Sequence, residues 1–137
     1  MEITRRTKND YTIFGIKGSL DMNNVKYIKK VFEDELKKSV VHIAIDMREL
    51  NYIDSSGIGS FIGLMTRLKA LGGQVVLVNM RDDIERIFSM TKLLAFFKVF
   101  KTEEEFYNSL STPEGGPVNK GTATDPEDSG NMQGGFY

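Results

Sequence analysis

The chain has 137 residues, with 18 Lys+Arg against 19 Asp+Glu and neither cysteine nor tryptophan. That is the length of one domain with room for a buried core. It excludes a disulfide framework or a thiolate-held metal, and a net charge of −1 argues against general nucleic-acid binding.

Ile3–Thr7 and Tyr11–Lys17 alternate around Lys8-Asn9-Asp10, which predicts a β-hairpin that Gly18 then interrupts. Asn24 to about Lys38 reads as an amphipathic helix with Val25, Ile28, Val31, Phe32 and Leu36 inward. Lys29/Glu33, Lys30/Asp34 and Glu33/Lys37 are spaced to pair along its solvated side. Val40–Asp46 suits a strand buried on both faces. Leu50–Ile53 leads into Asp54-Ser55-Ser56-Gly57 and a helix that Gly72-Gly73 ends. Gln74–Val78 is another buried strand, and Arg81–Met90 a helix with Asn79 or Asp82 near its cap. A short strand lies around Lys98–Phe100, and Thr102 with Glu105 forms a capping box for a last helix through Leu110. Strands alternating with about four helices imply an α/β domain over 1–110, with a mostly parallel sheet and an antiparallel edge.

Composition shifts after Leu110. Residues 111–137 hold all three prolines, six of the 13 glycines, four acids and one Lys. This predicts a disordered acidic tail that the fold does not need, ending on Phe136-Tyr137. No apolar run approaches the roughly 18 residues that span a bilayer. Met1-Glu2-Ile3-Thr4 lacks the layout of a signal peptide, so the expected location is cytoplasmic, with no membrane partner.

Asp54-Ser55-Ser56-Gly57-Ile58-Gly59 sits between a buried strand and a helix start, where α/β sheets meet ligands and partners. Unpaired N–H groups and the helix dipole favour a side-chain cap there, or a phosphate. At 100° per residue, Ile58, Phe61, Ile62, Met65 and Leu68 form the core face, with Leu64 and Leu71 at its margin. Ser56, Gly59, Ser60, Gly63, Thr66, Arg67 and Ala70 fall opposite. Two interior glycines cost roughly 1 kcal/mol each relative to Ala. Either a partner approaches this face closely, or a neighbouring helix of the same domain does.

Enzyme readings find little support. Gly57-Ile58-Gly59 lacks the carboxylate that a dinucleotide site needs at the end of the next strand, and no P-loop lysine motif occurs. Ile53 stands where a hydrolase elbow needs Gly. His42, the sole histidine, lies in an apolar strand and reads as a core residue. Asp21, Asp46 and Asp54 suit turns and caps better than a Mg²⁺ site. No catalytic residue, metal or cofactor is expected.

Residues 3–110 resemble a STAS domain, the sulfate-transporter and anti-sigma-factor-antagonist family. The resemblance is carried by Gly18-Ser19-Leu20-Asp21, His42–Asp46, Tyr52-Ile53-Asp54-Ser55-Ser56-Gly57-Ile58-Gly59, Gly72–Asn79 and Leu93–Phe100. Asp-Ser-Ser-Gly in this setting is similar to the stand-alone antagonists. The resemblance implies a small sheet with helices chiefly on one side. It implies a non-enzymatic regulator that binds an anti-sigma factor and so releases a sigma factor. It further implies that this anti-sigma factor is an ATP-dependent serine kinase that phosphorylates Ser56, and that a PPM-type phosphatase reverses the step. The resemblance implies that Asp21 and Asp54 flank the site; with the motif and the small-residue face, the expected partner-binding set is Asp21, Asp54, Ser55, Gly57, Gly59, Ser60, Gly63 and Arg67. An unphosphorylated scaffold, or an accessory subunit of a signalling or transport complex, is the alternative.

Overall fold

The computed structural model describes residues 1–111. β1 (Glu2–Lys8) and β2 (Tyr11–Leu20) form the expected hairpin, paired antiparallel from Glu2↔Lys17 to Lys8↔Tyr11. Asn9, in the turn, takes φ +55°, a left-handed setting that Asn tolerates. Gly18 bends β2 rather than ending it. It adopts φ +102°, and the pairing register slips beside it. Before the slip, Thr12–Gly15 runs parallel to β3 (His42–Asp46). After it, Gly18–Leu20 runs parallel to β4 (Leu50–Ile53), a sixth strand that the sequence pattern did not announce. β5 (Gln74–Val78) and β6 (Lys98–Phe100) continue the sheet beyond β3, giving the order β1-β2-β3-β5-β6 with β4 on β2. Only β1 runs antiparallel to its neighbour.

The described residues form four α-helices, α1 (Val25–Leu36), α2 (Ser55–Ala70), α3 (Asp82–Thr91) and α4 (Glu103–Ser111), with a 3₁₀ turn at Leu94–Phe96. Ser111 closes α4, so the helix takes the first residue assigned to the tail. Residues 112–137 lie outside the described residues, and the expected disorder lies there with them.

Phe14 and Ile16 on β2, Ile43 and Ile45 on β3, and Val75 and Leu77 on β5 share one core with α1, α2 and α3. Within it, rings run in contact from Phe14 through Phe32, Phe61 and Phe88 to Phe97, at centroid separations of 5.8, 6.3, 6.4 and 6.0 Å. This aromatic column joins the sheet to three successive helices, and each such pair adds to what area burial alone contributes. Val25, Ile28 and Phe32 are buried as the α1 stripe requires, while Val31 and Leu36 are half-buried against the core.

Two polar positions are settled by contacts distant in sequence. Glu35 lies on the inward side of α1, 2% exposed. Arg5 Nε and Nη2 donate to its two oxygens at 2.9 and 2.8 Å, and Thr12 Oγ1 donates at 2.8 Å. Asn79 caps no residue of α3, whose N-cap position is Arg81, with no side-chain capping hydrogen bond. It adopts φ +61°, donates through Nδ2 to Asp46 Oδ1 at 3.0 Å, and accepts the Glu103 N–H at 3.2 Å. Among the described residues no helix is long and apolar enough to cross a membrane.

Candidate functional site

The slip in β2 delivers Ser19-Leu20-Asp21 beside the end of β4, and the candidate site forms where these two chain ends meet α2. Asp54, not a serine, is the N-cap of α2, at φ −109° and ψ −175°. Its Oδ1 accepts the Gly57 N–H at 3.1 Å, and its Oδ2 accepts the Met22 N–H at 3.0 Å. The Asp54 N–H donates to the Leu20 carbonyl at 3.2 Å. One residue therefore fastens the start of α2 to the loop between β2 and α1. That loop is stiffened from within. Asp21 Oδ1 accepts the Asn23 N–H at 2.9 Å, the Asp21 N–H donates to Asn24 Oδ1 at 2.9 Å, and Asn24 Nδ2 donates to the Ser19 carbonyl at 2.8 Å.

With Asp54 capping, both serines are released from that duty. Ser55 is exposed and Ser56 half-buried, and neither hydroxyl makes a side-chain hydrogen bond among the described residues. α2 carries no acid in its first turn, so the Asp54 carboxylate at the N-cap is the one negative group its own sequence offers the helix dipole there.

The structure sorts the expected partner face into two sets. Gly59, Gly63 and Arg67 are exposed, as the helical projection placed them. Gly57 and Ser60 are not: both are buried. A Cβ on Gly57 would fall 2.7 Å from Ile53 Cγ1 and 2.9 Å from Leu20 Cγ, so this glycine lets α2 press onto β2 and β4. Ser60, 4% exposed, turns its Oγ inward to donate to the Gly57 carbonyl at 2.6 Å. The core face is correspondingly rotated: Leu64 is buried, Ile62 and Met65 are half-buried, and Leu71 is 56% exposed.

A Cβ on Gly59 or Gly63 would meet nothing within 4 Å, so no neighbouring helix explains either residue. Gly63→Gln should therefore leave the melting temperature unchanged or raise it, since Gln gains up to about 1 kcal/mol of helix propensity over Gly. Thermal denaturation checks this, and a fall of several degrees would mean that the position is packed. Arg67 reaches across to α1, where its Nη1 donates to Glu33 Oε1 at 2.5 Å. Glu33 makes that bond in place of the expected pairs with Lys29 and Lys37, while Lys30–Asp34 forms as expected at 3.4 Å.

The remaining candidates are structural. Asp46 closes the end of β3, bonded by Arg6, Asn79 and the Arg48 N–H. Asp21, Asp46 and Asp54 thus each serve a turn or cap, and no group of three or more metal-ligating side chains occurs among the described residues. His42 opens β3, at the opposite end of the strand from Asp46, half-buried against the Tyr11 ring at 5.2 Å. Burial lowers its pKa, only partly countered by Asp10, and its Nδ1 has no hydrogen-bond partner among the described residues. It is remote in topology from the serines and unsuited to act as their base.

Sequence reasoning missed Met22 as the contact of Asp54, although an Asp-x-Asn-Asn run is a turn signature that binds its own backbone. It also missed the share of α1 in this face, for which no local pattern exists.

Comparison with known proteins accords with this architecture. Residues 2–106 match the family model described as STAS domain. The anti-sigma-B factor antagonist of Listeria monocytogenes is 29% identical over 105 residues, covering 77% of this chain and 91% of that protein. The anti-sigma-B factor antagonist of Bacillus subtilis is 26% identical over 89 residues, covering 65% of this chain and 80% of that one. Among solved structures, a candidate anti-sigma factor antagonist of Thermotoga maritima superposes with a TM-score of 0.74 at 25% identity, over 78% of this chain and 92% of that one. The anti-sigma factor antagonist SpoIIAA in its unphosphorylated form gives 0.63 at 25% identity, over 80% and 97%. With the family model spanning the sheet, α1, α2, α3 and the Asp54-capped turn, this chain belongs to the STAS domain family.

Proposed function

We propose that this protein is an anti-sigma factor antagonist whose grip on its partner is switched off by phosphorylation of Ser56. The observation that carries the proposal is the release of the Ser56 hydroxyl: Asp54 caps α2, and Ser56 is left half-exposed beside an open face at Gly59 and Gly63. The antagonist relatives support the same reading. The partner is an anti-sigma factor that is also an ATP-dependent serine kinase, and a PPM-type phosphatase restores the free hydroxyl in the cytoplasm.

Serine is a poor nucleophile without an adjacent base, and His42 begins β3 at the far end of the strands, so Ser56 acts as a substrate. A phosphate adds about −1.5 to −2 charge next to the Asp54 carboxylate. Facing an acid or a desolvated surface of the partner, that charge costs several kcal/mol, and each 1.4 kcal/mol is about tenfold in affinity. The domain need not refold for binding to fail.

Incubation with the kinase and ATP, read by intact mass, tests the assignment. Ser56→Ala should take up no phosphate and still bind, Ser55→Ala should be labelled, and Ser56→Asp should bind at least about tenfold more weakly. Continued stoichiometric labelling of Ser56→Ala overturns the proposal. Equal binding by all three variants points instead to a constitutive scaffold.

A further inference from the structure

A cleft of about 260 Å³ opens between α1 and α2. Phe32 and Leu36 from α1 and Leu64 from α2 supply apolar lining. Its α2 wall is cut back to backbone at Gly59 and Gly63, which have neither a positive φ nor a neighbour that a Cβ would strike. Neither local conformation nor internal packing thus calls for glycine there. The volume falls below the roughly 300–1,000 Å³ usual for small-molecule sites. It suits one inserted side chain better than a cofactor.

The charged groups on the cleft wall are Lys29, Arg67 and Glu33, two cations to one carboxylate. Lys29 has no ion-pair partner among the described residues, and α2 has no acid anywhere along its length. Arg67 is held by Glu33 alone, through side chains that are each about half exposed. A pair so exposed is worth little and exchanges readily for another carboxylate.

We propose that this cleft is the socket for an apolar side chain of the partner protein, presented beside a carboxylate that pairs with Lys29 and Arg67. The proposal rests on the reading of the α2 face as a docking surface, and adds the socket, the chemistry it accepts and the contribution of α1. Glu33 becomes a built-in competitor for Arg67, set aside when the partner's acid arrives.

The test uses the isotope-labelled full chain and two capped tripeptides, Asp-Phe-Glu and Lys-Phe-Lys, followed by amide chemical shifts. Asp-Phe-Glu should shift Gly59, Gly63 and Phe32 and bind at least about threefold more tightly than Lys-Phe-Lys. Glu33→Gln should tighten Asp-Phe-Glu about threefold by removing the competitor, and Lys29→Glu should weaken it by a similar factor. Gly59→Leu should abolish the shifts while the melting temperature holds or rises, which separates a filled cleft from a damaged fold. Absence of shifts at the cleft, or indifference to both charge variants, overturns the proposal. Ser56 enters none of these measurements, so that outcome leaves the phosphorylation reading standing, and labelled Ser56→Ala in turn would not touch the cleft.

Discussion

Gly73→Ala should destabilise the fold by about 3 kcal/mol or more, at the upper end of what one added methyl does in a packed site. Gly72, at φ +82°, turns the chain out of α2, and the Gly73 N–H donates back to the Leu68 carbonyl at 2.7 Å. The next N–H, of Gln74, donates to the Val41 carbonyl at 3.0 Å. A Cβ on Gly73 would penetrate that same carbonyl oxygen and lie 2.6 Å from its carbon. The obstacle is backbone, so no rotamer relieves it. Relief means pulling Val41 away and losing the bond at the start of the β3–β5 ladder. The melting temperature should fall by roughly 12 °C or more, at about 4 °C per kcal/mol. Gly72→Ala is the control: its Cβ meets open space, so it carries only left-handed strain, about 1–2 kcal/mol. Equal melting of the two variants would show that Gly73 and Val41 do not approach as closely as described.

Arg5→Ala should cost about 2–3 kcal/mol and remove part of the acid sensitivity of the fold. The variant strands Glu35, 2% exposed, with Thr12 and with Lys38 at 3.5 Å. Losing a charge-assisted bond to a buried carboxylate sets that magnitude. The Arg5 hydrogen bonds pull the Glu35 carboxyl from 4.5 down to about 2, against the upward push of burial, with smaller help from Thr12 and Lys38. A carboxyl whose folded pKa is depressed stabilises the fold fully above its unfolded value, and that stability drains away as pH falls through the folded value. Wild type should therefore lose stability between about pH 4.5 and pH 2, and Arg5→Ala should show a flatter slope there. Urea titrations at neutral and acid pH measure both effects. An unchanged slope would mean that another carboxylate governs acid unfolding.

Legibility followed how local the deciding contacts are. β5 is a run of Val and Leu between Gly73 and Asn79, so its bounds were readable to the residue. β4 was not. It has four residues, two of them exposed, and its partner is the far half of β2 beyond a register slip. Gly18 was seen as a break because φ +102° and a strand end look alike in sequence. Glu35 follows Ile28 and Phe32 at helical spacing and so lay on the inward face, but its partner Arg5 is 30 residues away. At the site, the Asp-Ser-Ser-Gly cluster and the open glycines were legible. The burial of Gly57 and Ser60 was not, because close approach of a helix to a sheet selects small residues as solvent does.

Asp54 ties the start of α2 to the β2–α1 loop with a single carboxylate, and that bears on the rate of association. The surface around Ser56 is assembled before any partner arrives, since Gly57 and Met22 are already tied to the same side chain. Rigid patches of this kind dock with association rates that vary little among variants, typically within about 10⁵–10⁷ M⁻¹s⁻¹. On the proposed phosphorylation of Ser56, differences in complex lifetime would then carry most of the discrimination between modified and unmodified protein. Under that proposal, a change at the turn would be felt as the moment at which a bound partner lets go.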